Sequence, residues 1–249
     1  YDEATLLGLL LSEGSYSGNH VGFSTGDAEI VRLAGDLAVK WGVKLVHRRQ
    51  YDYDFVKLEG RSNPVREWLR SHNLDWTKAV DKVIPAALFR SSEDVLRRFL
   101  QIFWMCDGTA SSSAEIVLGS KKMLQQLQHL HLRLGIQTTF KTKPTKYKYK
   151  DQVTVRDAWR LRIHSDCLPA LQSLGFWGAK GESLDALTGK TRNPNLGSPV
   201  VTSDFLKELQ DVVRNHTAKC GKGGLTQVGI ELGWNSYFLL RDLVGPKNL

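Results

Sequence analysis

A nine-residue pattern occurs twice in this chain. Residues 6–14 read Leu-Leu-Gly-Leu-Leu-Leu-Ser-Glu-Gly, and residues 100–108 read Leu-Gln-Ile-Phe-Trp-Met-Cys-Asp-Gly. Each copy is an apolar run that ends in a small residue, a carboxylate and a glycine, the residue that commonly ends a helix. The first copy is apolar on nearly every side, which predicts a helix buried over most of its surface.

The elements around the two copies repeat as well. Each half predicts a helix, one or two strands, a helix, two strands and a closing helix, and the final glycines of the two motifs lie 94 positions apart. A repeat of this length indicates an internal duplication. We expect Asp27 and Ser120 to cap equivalent helices, Asn63-Pro64 to open another, and residues 84–87 to connect the halves.

Composition limits the classes of protein that are possible. The 249 residues are 41% hydrophobic and 24% charged, as in an ordinary globular protein. No apolar run has the roughly 18–20 residues that a bilayer span needs. The net charge of +8 favours an anionic partner such as nucleic acid, with a solvated basic surface as the alternative. Three cysteines without paired spacing predict an intracellular setting, in the cytoplasm, nucleoid or an organelle matrix.

The two carboxylates of the repeated motif suggest metal chemistry. If the two helices pack side by side, Glu13 and Asp107 meet and offer hard oxygen ligands for Mg²⁺, with water and phosphate oxygens completing the shell. Ser12 and Cys106, which precede the acids, are included in the expected metal site and are small enough for close helix packing. Such ions can activate water and stabilise a leaving oxygen. The alternative is that each acid is a helix end in solvent.

The two motifs resemble the LAGLIDADG family of homing endonucleases, in its single-chain, two-repeat form. Residues 6–14 match the family signature, while Ile84-Pro85, Phe99-Leu100 and Cys106-Asp107-Gly108 resemble the lead-in and the second motif. The resemblance covers about residues 4–176. It implies an α+β monomer of two pseudo-symmetric αββαββα repeats, residues 1–80 and 81–176, whose sheets form a saddle over DNA.

The same resemblance implies a site-specific, intein- or intron-encoded endonuclease. Such an enzyme makes double-strand breaks in a long DNA target with Mg²⁺, for which Mn²⁺ or Ca²⁺ can substitute in binding. Two departures stand out. Ile102 occupies the place of the inner glycine of the second motif, and residues 24–27 lack the lysine or glutamine that assists the attacking water. Lys121 is the second-half candidate for that catalytic role.

The resemblance also implies that one face of each sheet contacts DNA, and alternation along the strands selects the residues that face it. Residues 141–156 are rich in lysine and predict a basic hairpin along the DNA backbone. The predicted contacts in the first half are Ser17, Asn19, His20, Arg48, Gln50 and Tyr53. Those in the second half are Ser111, Ser113, Lys141, Lys143, Lys146, Lys148, Arg160 and Arg162. The alternative for each is a solvated strand face.

The C-terminal part differs in character. Residues 177–202 are rich in glycine, proline and asparagine, which predicts a linker or extended loop. Residues 203–249 resemble a small, all-α, helix-turn-helix DNA-binding domain with a turn at Gly233. Its second helix would present Asn235, Ser236, Tyr237 and Arg241 to a groove.

Two other functions remain open. Some transcription regulators resemble a LAGLIDADG scaffold fused to a helix-turn-helix with the catalytic acids lost, but here both Glu13 and Asp107 are present. An RNA maturase on the same fold is the second alternative. Relative affinity for structured RNA and for duplex DNA separates it from a DNA endonuclease.

Overall fold

The computed structural model describes residues 1–190 except residues 61, 150 and 151, and this part of the chain holds both predicted repeats. The elements of the first repeat are α1 (Asp2–Ser12), β1 (Gly14–Ser15), β2 (Gly22–Ser24), α2 (Ala28–Lys40), β3 (Val43–Arg49), β4 (Asp52–Lys57) and α3 (Pro64–Ser71). Those of the second are α4 (Glu93–Asp107), β5 (Gly108–Ala110), β6 (Ala114–Leu118), α5 (Lys121–Arg133), β7 (Thr138–Thr142), β8 (Thr145–Tyr149), β9 (Gln152–Arg156), β10 (Trp159–Ile163), α6 (Leu168–Gln172) and α7 (Gly178–Thr188). The predicted α+β class and the repeated αββαββα order are confirmed for the described residues.

The two main sheets share one topology. The strand orders are β1-β2-β4-β3 and β5-β6-β10-β7, with every neighbouring pair antiparallel. Strand β10 therefore takes the place of β4. The hairpin of β8 and β9 is inserted between β7 and β10 and forms a separate two-stranded sheet, as the lysine-rich segment predicted.

Local sequence explains where several helices begin. The carboxylate of Asp27 accepts hydrogen bonds from the backbone N–H groups of Glu29 and Ile30, and the hydroxyl of Ser120 accepts one from Met123. These equivalent caps open α2 and α5 in the two repeats. Asn63 caps α3 in the same manner, with Pro64 at the first helical position.

Helices α1 and α4 lie against each other at the centre of the core. Leu6, Leu10 and Phe99 are completely or almost completely buried, as expected for a helix that is apolar on nearly every side. A Cβ atom added to Gly8 would lie 2.9 Å from both the Ile102 Cβ and the Phe99 carbonyl oxygen. The Ile102 side chain therefore packs against Gly8 of α1. The two helices can pack closely although α4 has isoleucine at the position of its inner glycine.

A buried polar pair connects α4 to α5. The indole Nε1 of Trp104 donates to Nε2 of His131 over 2.7 Å, and Nδ1 of His131 lies 2.7 Å from the Leu127 carbonyl oxygen. Since Nε2 accepts, the imidazole is neutral and carries its proton on Nδ1. Burial lowers the pKa of His131 to about 4, so the pair is stable only while the ring is uncharged.

The predicted linker over residues 177–202 is wrong in its first part. Helix α7 occupies Gly178–Thr188 and buries Leu184 and Leu187 against the core. The many glycines in this range favoured a loop prediction, although Leu184 and Leu187 have helical spacing. The remainder of that range and the predicted helix-turn-helix over 203–249 lie outside the described residues. No helix within the described part of the chain has the length and hydropathy to cross a membrane.

Replacement of Gly8 by alanine tests the helix contact. We expect Gly8→Ala to lower the free energy of unfolding by about 1–3 kcal/mol, because the new methyl group overlaps Ile102 and the Phe99 carbonyl. The matched control is Gly35→Ala in α2, where an added Cβ meets no atom within 4 Å. The control should gain up to about 1 kcal/mol from helix propensity. Equal effects of the two changes in urea unfolding would contradict this account of the contact.

The His131 pair predicts a pH dependence of stability. The folded pKa lies below the unfolded value, so the unfolded state binds more protons between about pH 6.5 and 4. The contribution is complete above about pH 6.5 and is lost as the pH falls, by roughly 3 kcal/mol in total. His131→Gln retains an acceptor for Trp104 and should flatten this part of the curve. The exposed His129→Gln should leave it unchanged, and an unaltered slope in His131→Gln would contradict the assignment.

Candidate functional site

The two motif acids lie where each central helix turns directly into a strand. Glu13 follows the last residue of α1, and Asp107 is the last residue of α4. A side chain on Gly14 would overlap the backbone of Leu10, and one on Gly108 would overlap the ring of Trp104. The glycine after each acid thus lets the chain leave the helix at once, and this fixes the position of the preceding carboxylate.

The two carboxylates occupy a partly buried and mutually repulsive environment. Burial and the charge of Glu13 raise the pKa of Asp107 to about 6. Burial also raises the pKa of Glu13. Lys82 and Lys180 act in the opposite direction and lower both values. Glu13 and Asp107 are therefore close enough to interact electrostatically, and two lysines share their surroundings, which confirms that the two motifs meet.

Lys82 closes the end of α1. This lysine is 3% exposed, and its Nζ donates to the carbonyl oxygens of Leu10, Leu11 and Gly14 over 2.8–3.0 Å. These bonds use all three ammonium protons on carbonyls that a helix end leaves unpaired. Burial lowers the pKa of Lys82 to about 8, while Asp107 and Glu13 oppose that shift.

Lys180 does the same for α4. Its Nζ donates to the carbonyl oxygens of Trp104 and Met105 over 2.9 and 2.7 Å, and to that of Cys106 over 3.4 Å. Burial lowers the pKa of Lys180, and the nearby acids oppose the shift. The two lysines are thus equivalent in the two repeats, and each places a positive charge beside both motif acids.

Each lysine caps the motif helix of one repeat, and its segment also contacts a helix cap in the other repeat. The Ser120 hydroxyl at the start of α5 donates to the Lys82 carbonyl over 2.7 Å. The indole of Trp177 donates to the Asp27 carboxylate at the start of α2 over 3.1 Å. These crossed contacts hold the two repeats together around the acids. Residues 177–180, beyond the predicted boundary at 176, thus contact both repeats.

Sequence reasoning missed both lysines, because each lies outside the motif. One signal could have revealed them. Lys82 and Lys180 are 98 positions apart, close to the 94 that separate Gly14 and Gly108. Lysines that recur at nearly the motif spacing are candidates for the same site in two repeats.

Three other predicted site residues have different environments. The Ser12 hydroxyl donates to the carbonyl oxygens of Gly8 and Leu9, inside its own helix. Burial raises the pKa of the Cys106 thiol to about 12, so it stays protonated and is a poor metal ligand. The inclusion of Ser12 and Cys106 in the metal site stays a prediction. Lys121 is exposed at the first position of α5, and its predicted catalytic role stays a prediction.

The acids supply a donor set suited to a hard divalent cation. Within the described residues, no group of three or more His, Cys, Asp and Glu side chains is arranged to hold a metal. The protein therefore offers the carboxylates of Glu13 and Asp107, and water or phosphate oxygens would complete the shell. A divalent cation also removes the electrostatic cost that raises both carboxyl pKa values.

The second sheet brings the predicted basic residues to one open face. Arg160 pairs with Lys141 and Val117, and Arg162 pairs with Thr139 and Glu115. Directly opposed strand residues share a face, so these side chains point away from buried Leu161 and Ile116. Lys143 reaches the same face, where its Nζ lies 2.7 Å from the Glu115 carboxylate. The face is strongly basic.

The first sheet confirms Arg48 on its open face and excludes Tyr53 from it. Arg48 forms an ion pair with Asp54 there. The ring of Tyr53 stacks on those of Phe23 and His47 on the helix-facing side. The prediction for Tyr53 is wrong because alternation from buried Phe55 places it towards the core.

The remaining predicted DNA contacts lie in turns, in β8 or outside the described residues. Ser17, Asn19 and His20 are exposed between β1 and β2, Ser111 is exposed between β5 and β6, and the hydroxyl of Ser113 donates to Glu115. Gln50 is exposed at the β3–β4 turn with φ +43°. Lys146 and Lys148 take alternate positions in β8. Asn235, Ser236, Tyr237 and Arg241 lie outside the described residues.

Comparison with known protein families bears on the repeated motif. Residues 94–168 match the family model of the LAGLIDADG-like domain. The second repeat is therefore similar to a LAGLIDADG-like domain. The match covers α4, the second sheet and the start of α6, and it confirms the resemblance predicted from the motifs. The first repeat has the same strand order and the same acid-glycine helix end.

The chain is also similar to segments of two replicative helicases. It is 28% identical over 217 residues to the replicative DNA helicase DnaB of Rhodothermus marinus, which covers 78% of this chain and 23% of the helicase. It is 25% identical over 175 residues to that of Nostoc sp., which covers 63% of this chain and 20% of the helicase. The chain therefore spans less than a quarter of the length of these relatives.

Similar solved structures include complexes of the homing endonuclease I-DmoI. One, with its target DNA nicked in the coding strand and with manganese, is 12% identical, has a TM-score of 0.47 and covers 69% of this chain and 93% of its own. Another, with DNA and calcium, is 12% identical and has a TM-score of 0.46. It covers 74% of this chain and 97% of its own. At this identity the comparison assigns no residue roles.

The lysine caps give a testable consequence for stability. Lys82→Met leaves the carbonyl oxygens of Leu10, Leu11 and Gly14 without their donor, so we expect a loss of about 2 kcal/mol or more in the free energy of unfolding. It should also raise the pKa of Asp107 further, which carboxyl-carbon NMR titration measures. The control Lys121→Met, at an exposed position, should change stability by less than about 0.5 kcal/mol. Equal losses would contradict the capping role.

Proposed function

We propose that this protein is a site-specific DNA endonuclease that makes double-strand breaks with Mg²⁺. The observation that carries the proposal is the meeting of Glu13 and Asp107 at two packed helix ends, each of which is capped by a lysine. Burial raises both carboxyl pKa values, and the charge of Glu13 raises that of Asp107 further, as expected of a site built for a cation. The basic open face of the second sheet supports a nucleic-acid substrate.

Glu13 and Asp107 would hold the metal ions, and each would support the cutting of one strand. When bound, the metal supplies an activated water and neutralises charge on the scissile phosphate. Lys82 and Lys180 cap the two helix ends. Their positive charges lower the pKa of both carboxyl groups and so favour the ionised carboxylates at neutral pH. Their three carbonyl bonds make them positioning and electrostatic residues in this arrangement.

The sheets would contact the major groove on both sides of the cleavage point. Arg160, Arg162 and Lys141 share one face in register and lie within reach of base edges and phosphates. The separate hairpin of β8 and β9, which is inserted between β7 and β10, would follow the DNA backbone. Two equivalent repeats within one chain suit a long, asymmetric target that is bound by a monomer.

The paired site favours a nuclease over a DNA-binding regulator. A regulator needs neither acid, whereas this chain carries both of them, two matched lysines and the glycines that position the acids. The RNA maturase alternative makes a different prediction, namely preference for structured RNA over duplex DNA.

The similarity to replicative helicases is consistent with a mobile insertion. The shared segment is less than a quarter of each helicase, and residues 94–168 of this chain match the LAGLIDADG-like domain. We infer that the shared segment is a nuclease encoded within a helicase gene, as an intein or intron element would be. Helicase activity is not part of this proposal.

Loss of either acid tests the catalytic assignment. A duplex selected from a randomised DNA library serves as substrate, with cleavage of each strand followed separately in Mg²⁺. Glu13→Gln and Asp107→Asn should each slow at least one strand by about 100-fold or more, because several kcal/mol of charge stabilisation is lost. Binding in Ca²⁺ should persist. Glu93→Gln, an exposed acid at the start of α4, is the matched control and should cut both strands normally.

Three outcomes would overturn the proposal. Normal cleavage of both strands by both acid variants would remove Glu13 and Asp107 from the chemistry. Specific binding by the wild-type protein without cleavage would favour the regulator. Stronger binding to structured RNA than to the selected duplex would favour the maturase.

A further inference from the structure

Asp54 and Arg48 form an ion pair on the open face of the first sheet. Asp54 in β4 lies in register between Gly22 of β2 and Val46 of β3. The Arg48 Nε donates to its Oδ2 over 2.8 Å, and Nδ1 of His20 lies 3.5 Å from the same oxygen. The Asp54 side chain is 15% exposed, whereas that of Arg48 is 46% exposed.

Gly22 provides the space in which the carboxylate lies. A Cβ atom on Gly22 would overlap Oδ1 of Asp54 and crowd the Tyr53 carbonyl oxygen. The missing side chain therefore lets the carboxylate settle over β2, beside its arginine. The pair is preorganised by the register of three strands, so little side-chain entropy is lost if it binds a ligand.

The second sheet has a different charge pattern on its equivalent face. There Lys141, Lys143, Arg160 and Arg162 surround a single acid, Glu115. On the first sheet, Arg48 faces Asp54, and Arg49 faces Asp52, which also accepts from the Ser24 hydroxyl. Lys44 adds a third cation to this face, so the first sheet is less basic than the second and holds its two acids in ion pairs.

Carboxylates on a surface that contacts DNA need a specific reason. A carboxylate repels phosphates and weakens sequence-independent binding. It gains a favourable contact only from a hydrogen-bond donor, and in the major groove the base donors are the amino groups of cytosine and adenine. Carboxylates held in ion pairs on this face are therefore better suited to recognise bases than to bind the phosphate backbone.

The order of hydrogen-bond donors and acceptor on Arg48 and Asp54 matches only one kind of base pair. A G·C pair presents two acceptors, guanine N7 and O6, beside one donor, cytosine N4. A guanidinium next to a carboxylate presents donors beside an acceptor, which is the complementary order. Arg48 uses Nε for Asp54, and its two terminal nitrogens carry four further N–H donors. An A·T pair has its donor between two acceptors, which does not match.

We propose that Arg48 and Asp54 act as one unit that reads a G·C base pair in the first half of the DNA site. Asp54 accepts from the cytosine amino group, and Arg48 donates to guanine O6 and N7. Asp54 was absent from the contacts predicted by sequence, which included only its partners Arg48 and His20. The inference rests on the proposed DNA-binding function and adds two specificity-determining residues to it.

The test is selection of bound duplexes from a randomised library in Ca²⁺, so that binding is scored without cleavage. The proteins compared are the wild type, Asp54→Asn, Arg48→Lys and the control Asp36→Asn. Asp36 also pairs with an arginine, Arg32, but on exposed α2. Thermal unfolding of each variant confirms that it is folded. A discrimination of 1–3 kcal/mol corresponds to a roughly 5- to 150-fold preference at one position.

The expected result is a G·C preference at one position that both Asp54→Asn and Arg48→Lys reduce by about tenfold or more, with other positions unchanged. The control should retain the wild-type profile. An unchanged profile in both variants, or changes at two unrelated positions, would overturn the paired reading. Specific binding without cleavage would leave this test valid while overturning the endonuclease. A wild type that selects no duplex would overturn both proposals.

Discussion

The contact between α1 and α4 is the interaction on which the remainder of the structure depends. It forms the centre of the core, and it brings together two helix ends that are far apart in sequence. Gly8 makes room for Ile102 where the two helices come closest. If the helices were separated, Glu13 and Asp107 would each become an isolated carboxylate in solvent, with no shared electrostatic environment.

Two glycines and two lysines convert this packing into a defined site. Gly14 and Gly108 end the helices within a single residue, and Lys82 and Lys180 bind the carbonyl oxygens that those ends expose. The caps contribute twice, because they satisfy buried acceptors and place positive charge beside the acids. The same atoms would therefore serve stability and the proposed chemistry.

The sequence was sufficient for the order of the elements, because alternation and helical spacing are local signals. The meeting of the two acids was predicted from the repeated motif. It misplaced Tyr53, since the short β3–β4 turn set a face that the charge pattern did not reveal. Helix α7 was missed because glycines concealed Leu184 and Leu187. Lys82 and Lys180 could be found only by contacts between segments distant in the chain, and Asp54 only by its register opposite Gly22.

The most direct test of the central claim is the location of a metal ion. Crystals of the protein with a selected duplex and Mn²⁺ allow the ion to be identified by its anomalous scattering. This account predicts manganese within about 2.0–2.6 Å of carboxylate oxygens from both Glu13 and Asp107. Manganese bound elsewhere, or motif carboxylates that point apart into solvent, would contradict it.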